Sequence, residues 1–156
     1  MHAHAVGREI FLVLLLVVGG CGGPDAPATS GQVPFSGTVT LDGEPVENAQ
    51  VKFIPLSGES EPAVATTDAS GKYELKSGHA GAAGAKPGEY KVVISRLVKP
   101  DGTVAVAGPD RSPMQLMVED KATESIPPRY SEYQKSTLKA TVPGGGGSQD
   151  FQLNSK

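Results

Sequence analysis

The stretch from residue 35 to residue 53 constrains the fold more than any other part of this chain. Between Phe35 and Leu41, apolar residues and glycine alternate with Ser and Thr, the period of two that places every second side chain on one face of a β-strand. Asp42-Gly43 then ends the pattern, and this dipeptide accepts the positive φ angles of a tight hairpin turn. Apolar alternation resumes between Ala49 and Phe53. The sequence therefore predicts a hairpin of two strands here.

Strand patterns recur along the rest of the chain, separated by turns rich in Gly, Pro and Asp. Residues 63–67 and 72–75 flank the turn sequence Asp68-Ala69-Ser70-Gly71, which predicts a second hairpin. Residues 90–95 alternate cleanly and predict a central strand. The closing strands are predicted at residues 136–142 and 150–153, joined by a glycine turn at residues 144–147.

Two further segments have weaker strand patterns. No segment of the chain shows the periodicity of a helix. Met114, Leu116 and Val118 alternate and predict an added edge strand. Residues 126–130 are predicted to be extended, because each proline disfavours the α conformation in the residue before it. The fold class expected is therefore all-β: an antiparallel, Ig-like β-sandwich of about seven short strands.

The core of this sandwich is expected to depend on a few large side chains, because the sequence contains no Trp. The expected core anchors are Phe35, Phe53, Tyr73, Tyr90 and Phe151.

The N-terminus has the pattern of an export signal. Arg8 is followed by nine apolar residues at 10–18, too short to cross a bilayer but typical of the apolar region of a signal peptide. Val18-Gly19-Gly20-Cys21 resembles the lipobox of bacterial lipoproteins, in which the cysteine is acylated. We therefore expect a lipoprotein signal peptide at residues 1–20, lipidation of Cys21, a flexible tether at residues 21–33 and one domain at residues 34–153.

The expected cellular location follows from the same motif. Gly22 stands where an Asp would resemble an inner-membrane retention signal. The expected location is the bacterial cell envelope, with the chain anchored by lipid to the outer membrane, at its periplasmic face or at the cell surface. Cys21 is the only cysteine, so no disulfide within the chain is expected.

The pattern of turns and strands resembles the carboxypeptidase regulatory-like domain. The resemblance covers residues 35–95 and is carried by four segments: residues 37–46, 49–53, 67–75 and 87–92. It implies a transthyretin-like sandwich of about seven strands. It also implies a binding or structural role more readily than a reaction, because the matching residues are turn and core residues.

Catalytic motifs are not found in this sequence. A zinc carboxypeptidase needs a set of His and Glu ligands, whereas His79 is the only histidine after residue 20. Transthyretin-like hydrolases resemble one another in a Tyr-Arg-Gly-Ser ending, but this chain ends at Gln152-Leu153-Asn154-Ser155-Lys156. No Gly-x-Ser-x-Gly motif accompanies His79, which we interpret as a solvated loop residue. We therefore expect no enzyme, no cofactor and no metal.

Other residue groups have both a functional and a structural interpretation. Asp42, Glu44, Asp68 and Asp101 could supply oxygen ligands to calcium, but Asp42 and Asp68 are already explained as turn residues. Residues 78–84 lack the lysine pattern of a phosphate-binding loop and are interpreted as a flexible connector.

Tyr130 and Tyr133 could stack on a sugar or a peptide. Three residues apart on a strand they would face opposite sides, which favours ordinary packing or exposure.

The expected partners follow from charge and fold. The formal net charge is −3 and no run of basic residues is present, so a nucleic-acid partner is not expected. We expect a non-catalytic envelope lipoprotein with a structural or protein-binding module, whose sheet edges could accept a partner strand. The alternative is a carbohydrate-binding module at the cell surface, with its site in the loops after Leu56 and Val98.

Overall fold

The fold is predominantly β. A computed structural model describes residues 31–58, 60–77, 81–108 and 110–156, and the expectations for Cys21 and His79 lie outside these residues. The strands are β1 (Phe35–Leu41), β2 (Glu44–Pro45), β3 (Gln50–Pro55), β4 (Ala63–Thr66), β5 (Lys72–Glu74), β6 (Lys76–Ser77), β7 (Ala82–Ala83), β8 (Gly88–Ser95), β9 (Leu97–Val98), β10 (Val104–Ala105), β11 (Thr123–Glu124), β12 (Lys139–Val142), β13 (Gly147–Ser148) and β14 (Phe151–Leu153). The helices are α1 (Pro113–Glu119) and α2 (Pro128–Ser131).

Two large sheets form the body of the molecule. In the five-stranded sheet, β1 is central, with β2 and β5 antiparallel to it and β13 and β14 parallel to it. The six-stranded sheet has the order β12-β8-β3-β4-β6-β7, and all its neighbours are antiparallel. Apolar residues of both sheets share one core, as expected for a β-sandwich.

The prediction of the core anchors is confirmed. Phe35, Phe53, Tyr73, Tyr90 and Phe151 are all buried. Phe53 of β3 lies 5.7 Å from the rings of Phe35 and Tyr90 and 6.2 Å from those of Tyr73 and Phe151, measured between ring centroids. One side chain of the six-stranded sheet thus contacts three rings of the five-stranded sheet.

The first predicted hairpin is wrong in its second strand. The turn itself is confirmed, since Asp42 has φ 52° and Gly43 has φ 90°. The strand that follows the turn and pairs with β1 is the short β2. The predicted second strand, β3, pairs instead with β4 and β8 in the other sheet. Buried Thr67 fixes the crossing, because its Oγ1 donates to the Val46 carbonyl at 2.5 Å and accepts from the Ala49 amide at 2.8 Å.

The second predicted hairpin is wrong for the same reason. β4 joins the six-stranded sheet, whereas β5 pairs with β1, so the turn after Thr67 also crosses between the sheets. Alternation specifies which side chains face the core, but it does not specify which strand is the neighbour. The central position predicted for residues 90–95 is confirmed: β8 lies between β3 and β12.

The expected antiparallel arrangement holds for most strand pairs but not for β1 with β13 and β14. β14 runs parallel to β1, with Val39 opposite Phe151 and Leu41 opposite Leu153. Parallel neighbours require a long connection, and here nearly the whole chain supplies it.

The predicted edge strand at residues 114–118 is instead helix α1. Ser112 caps it: its Oγ accepts from the Gln115 amide at 3.3 Å, and the Gln115 side chain accepts from the Ser112 amide at 2.9 Å. With Pro113 in the first turn, this reciprocal capping box stabilises a helix strongly enough to override a three-residue alternation.

The extended segment predicted at residues 126–130 is only partly correct. Pro127 is extended, with ψ 143°, but Pro128 opens the single helical turn of α2. Proline constrains the residue before it, yet its own fixed φ suits the first position of a helix.

The chain joins the sandwich at the edge of the six-stranded sheet. The Gln32 side chain donates to Ser77 Oγ at 2.5 Å, and Val33 exchanges backbone hydrogen bonds with Ala85 at 2.9 and 3.0 Å. The interpretation of residues 78–84 as a connector is wrong for the described part, because Ala82–Ala83 pairs with β6.

A substitution at Gly37 tests the close packing of β1 against the segment that leads into β14. A Cβ added there would lie 1.9 Å from the Gln149 carbonyl oxygen and 2.9 Å from the Tyr73 ring. We expect Gly37→Ala to lower the free energy of unfolding in urea by at least about 1–3 kcal/mol, because backbone must move to admit the methyl group. Gly144→Ala, whose Cβ meets nothing within 4 Å, is the control and should change it by less than about 0.5 kcal/mol. Equal urea midpoints for the two variants would contradict the described packing.

Candidate functional site

A small lobe interrupts the sandwich between β8 and the return of the chain to the main core. The lobe comprises residues 97–124 and contains a three-stranded sheet of order β10-β9-β11 together with α1. It has its own core of Leu97, Ala105, Leu116 and Ala122. The lobe is thus a separate packing unit attached to one end of β8.

The two ends of the lobe are joined where they leave the sandwich. Glu124 Oε1 accepts from the Arg96 amide at 2.8 Å and from the Ile126 amide at 2.9 Å. The Ser125 amide donates to the Arg96 carbonyl at 2.9 Å. One carboxylate therefore satisfies backbone donors on both connecting segments, which holds the lobe in one position.

An ion-pair network closes the lobe around α1. The Arg111 guanidinium makes two bonds of 2.9 Å to Asp120 and one of 3.1 Å to Glu119, and Lys99 Nζ lies 3.4 Å from Asp120. The bonds from Arg111, with a smaller contribution from Lys99, hold the pKa of Asp120 below its ordinary value. The network links the residues before and after the helix.

The outer side of α1 carries large apolar side chains. Met114, Met117 and Val118 are 69%, 42% and 70% exposed, whereas Leu116 is buried. Residues three and four apart share a helix face, so these three side chains form one apolar patch. Contiguous exposed apolar surface marks interaction sites, and methionine adapts its shape to a partner. We take this apolar patch as the candidate functional site.

The position of the patch is set by the sandwich. The lobe follows the last residue of β8. Ala85, which is hydrogen-bonded to Val33, lies just before the first residue of β8. Eight extended residues span about 25 Å. The patch therefore lies near the end of the sandwich opposite to the point where the chain joins it.

An open groove between β4 and β5 is one of the concave features of the described residues. Lys72 Nζ and Glu74 Oε1 line it and are paired at 3.0 Å. Asp68 Oδ1 accepts from the Ser70 and Lys72 amides at 2.8 and 2.9 Å. The Lys72–Glu74 pair and the Asp68 carboxylate are therefore already used within the protein.

The edge of β4 in this groove is too short to accept a strand. Val64 pairs with Lys76 of β6, and the Asp68 amide donates to the Lys72 carbonyl at 2.9 Å. Between Val64 and Asp68, only Thr66 directs its backbone amide and carbonyl away from β3. A partner strand would gain one residue of pairing here.

Three of the four carboxylates considered for calcium accept hydrogen bonds within the protein. Asp42 accepts from the Ser155 amide at 2.9 Å, and Asp101 accepts from the Thr103 amide at 2.8 Å and its hydroxyl at 2.6 Å. The side-chain hydrogen bonds from Ser155, Ser70 and Thr103 lower the pKa of Asp42, Asp68 and Asp101 respectively. Glu44 is exposed in β2. Within the described ranges, no group of three or more His, Cys, Asp or Glu could hold a metal ion.

The two tyrosines do not lie on a strand. Tyr130 belongs to α2 and packs against the main core, with the Arg129 guanidinium 5.0 Å from its ring centroid. Tyr133 is exposed, and Lys91 Nζ lies 4.7 Å from its ring centroid. The loops after Leu56 and Val98, considered for a glycan site, contain no aromatic residue at positions 56–62 or 99–112.

Sequence reasoning missed the patch because it assigned Met114 and Val118 to a strand. The available signal was the capping pattern Ser112-Pro113 followed by Gln115.

Comparisons with known proteins add little. No protein-family model and no curated protein matches the chain. A solved 9R-lipoxygenase from Cyanothece PCC8801 is similar over 80% of this chain with 12% identity and a TM-score of 0.33, and the chain spans 16% of that protein's length. A similarity this distant supports no assignment of fold or activity. No helix among the described residues has the length and apolar character needed to cross a bilayer.

The ion pairs of the lobe predict a local pH dependence. The depressed pKa of Asp120 contributes stability that is present above the carboxyl's unfolded value of about 4 and is lost as the pH falls through the lower folded value. We expect the carboxyl ¹³C signal of Asp120 to titrate below the ordinary value. The protection factor against hydrogen exchange at the Ala122 amide, which donates to the Leu116 carbonyl, should fall over the same interval.

Arg111→Gln should move the Asp120 midpoint up towards the ordinary value. The control, Arg129→Gln, removes an arginine bonded to the carbonyls of Asn154 and Lys156, not to the lobe, and should leave the midpoint unchanged. An unchanged midpoint in Arg111→Gln would show that Arg111 is not the cause.

Proposed function

We propose that this chain is a non-catalytic, lipid-anchored protein of the bacterial cell envelope, which binds a protein partner through the apolar patch of α1. The observation that carries this proposal is the exposure of Met114, Met117 and Val118 on one face of one helix. A partner that covered these three side chains would remove their apolar surface from water, which is favourable. Complete burial of an aliphatic side chain of this size contributes about 1.5–3 kcal/mol.

The fold part of the proposal is a transthyretin-like sandwich of the carboxypeptidase regulatory-like kind. The longer strands support it: β5, β1 and β14 form one layer, and β12, β8, β3 and β4 form the other. Together they are seven, the number that the sequence resemblance implies. In this description the shorter strands and the lobe are additions to that framework.

The anchor part of the proposal depends on Cys21 and the signal-peptide pattern before it. Gln32 and Val33 bind the edge of the six-stranded sheet, which supports a tether that reaches the domain at this edge. A chain anchored by Cys21 would present the apolar patch from the far end of the sandwich. Such an arrangement suits binding of a partner that projects towards the membrane or spans the envelope.

The anchor is tested by replacing the acylated residue. Cys21→Ser should abolish incorporation of labelled palmitate into the protein and should stop processing before residue 21, because the thiol that accepts the lipid is lost. The measurement is metabolic labelling in a bacterial host, followed by immunoprecipitation and mass spectrometry of the N-terminal peptide. Ser30→Ala, in the same predicted tether, is the control and should remain labelled. Absence of label from the wild-type chain would reject the anchor.

The partner site is tested by photo-crosslinking from the patch. A photoreactive amino acid at position 118 should capture one defined protein in intact envelopes. The added change Met117→Asp should reduce that product at least about tenfold, because a carboxylate would have to be buried at the contact. Thr123→Asp places the same charge on an exposed residue of the same lobe and is the control.

Three results would contradict the partner proposal. One is equal capture with and without Met117→Asp, in variants whose urea midpoints match. Another is equal capture from the exposed and unrelated position Thr141. The third is a product that resists protease but is removed by glycosidases, which would make the ligand a glycan.

A further inference from the structure

The outer face of the six-stranded sheet collects lysines that are far apart in the sequence. In β3 and β8 the buried residues Val51, Phe53, Tyr90 and Val92 alternate with outward-facing residues. Lys52 and Lys91 are therefore outward. Lys76 of β6 and Lys139 of β12 also face outward. We call Lys52, Lys76, Lys91 and Lys139 the lysine face.

The strand register brings these four residues together. Lys139 lies directly opposite Lys91, and Val64 is the cross-strand neighbour of both Lys52 and Lys76. Adjacent strands are about 4.8 Å apart, so the face extends about 20 Å from β12 to β6. The four lysines thus share one sheet face, with Val64 between Lys52 and Lys76, on a chain whose net charge is −3.

The charge of this face is not neutralised by its surroundings. No ion pair to Lys52, Lys76 or Lys139 is found among the described residues, and Lys91 contacts the Tyr133 ring. Glu89 is the acidic residue among the outward-facing positions of these strands, and Glu61 lies in the loop before β4. Like charges directly opposite each other, as at Lys91 and Lys139, oppose strand pairing unless an anion is brought to them.

The place where the chain joins the domain indicates which anion is available. Gln32 bonds to Ser77, the neighbour of Lys76 in β6. Gln32 is eleven positions after Cys21, so this edge stays within about 40 Å of an anchored Cys21. The lysine face thus begins at the edge of the domain that is tied to the anchor.

We propose that the lysine face lies against the anionic headgroups of the membrane. This proposal uses the anchor of the proposed function but not its protein partner. Each lysine near an anionic membrane surface raises the population of the bound orientation about fivefold. The exposed Val64 and half-buried Ile54 between the lysines add apolar contact at the headgroup level. The five-stranded sheet then faces away from the lipid, and the apolar patch stays accessible at one end.

The test uses the full chain reconstituted in lipid nanodiscs with a paramagnetic label on the headgroups. The discs contain phosphatidylcholine alone or phosphatidylcholine mixed with phosphatidylglycerol. Relaxation enhancement is measured at the amides of Val64 and Val93 on the lysine face and at Thr40 on the outer side of the five-stranded sheet. Lys52→Gln, Lys76→Gln and Lys139→Gln are combined, and the matched control combines Lys99→Gln, Lys121→Gln and Lys156→Gln.

In phosphatidylglycerol discs we expect strong enhancement at Val64 and Val93 and weak enhancement at Thr40. The lysine-face triple variant should lower it at least about tenfold, and the control triple variant should leave it within about twofold. Raising the ionic strength from about 0.1 M to about 1 M should also weaken it, because the Debye length falls from about 10 Å to about 3 Å.

Several results would overturn the proposal. Equal enhancement in the two lipids, or equal enhancement at Thr40, would show that the face has no preference for anionic headgroups. Protection of the three lysines from acetylation in intact envelopes but not in protein-free vesicles would assign the face to an acidic protein.

Failure of the anchor has a separate signature. In that case the chain does not stay with phosphatidylcholine discs. Binding to phosphatidylglycerol vesicles alone would then still support the lysine face, and no binding to either would reject it.

Discussion

The contact of Phe53 with the rings around it is the interaction on which the rest of the structure depends. Phe53 is fully buried in β3, and Phe35, Tyr73 and Phe151 approach it from the opposite layer. Edge-on and tilted ring contacts of this kind stabilise a core beyond the area they bury. With no Trp in the chain, this cluster supplies most of the large apolar surface that holds the two sheets together. The hydroxyl of Tyr73 donates to the Gln149 carbonyl at 2.7 Å, which ties the cluster to the last strand.

The connections between the sheets are short because a single polar side chain can hold a crossing. Thr67 bonds to both the Val46 carbonyl and the Ala49 amide, and Glu124 does the same for the base of the lobe. In both cases one side chain, buried Thr67 or half-buried Glu124, satisfies backbone groups outside the strand ladders. The lobe and its apolar patch are positioned by these bonds, and any binding role of the patch depends on them.

The features that the sequence predicted are those decided by local chemistry. The core anchors, the Asp42-Gly43 turn and the central strand at residues 90–95 follow from alternation and turn preference, and all three are present. The neighbours of each strand were not predictable, because alternation is the same whether β3 lies beside β1 or beside β8. Helix α1 was missed because three alternating apolar residues were weighed above its capping residues.

The two candidate surfaces differ in what the sequence could show. The apolar patch becomes visible once residues 113–119 are recognised as a helix, since Met114, Met117 and Val118 then share a face. The lysine face has no local signature: its members lie between residue 52 and residue 139 and meet only through strand register. The absence of a basic run in the sequence was therefore a poor guide to the charge of this surface.

The parallel pairing of the first and last long strands has a consequence for how the chain matures. β1 is made early, yet Val39 has no neighbour on one side until Phe151 is available. During synthesis from the N-terminus, β1 keeps an open edge until residues 151–153 are available. Contacts of such long sequence separation also slow folding. The five-stranded sheet is thus completed only when Phe151–Leu153 has joined β1.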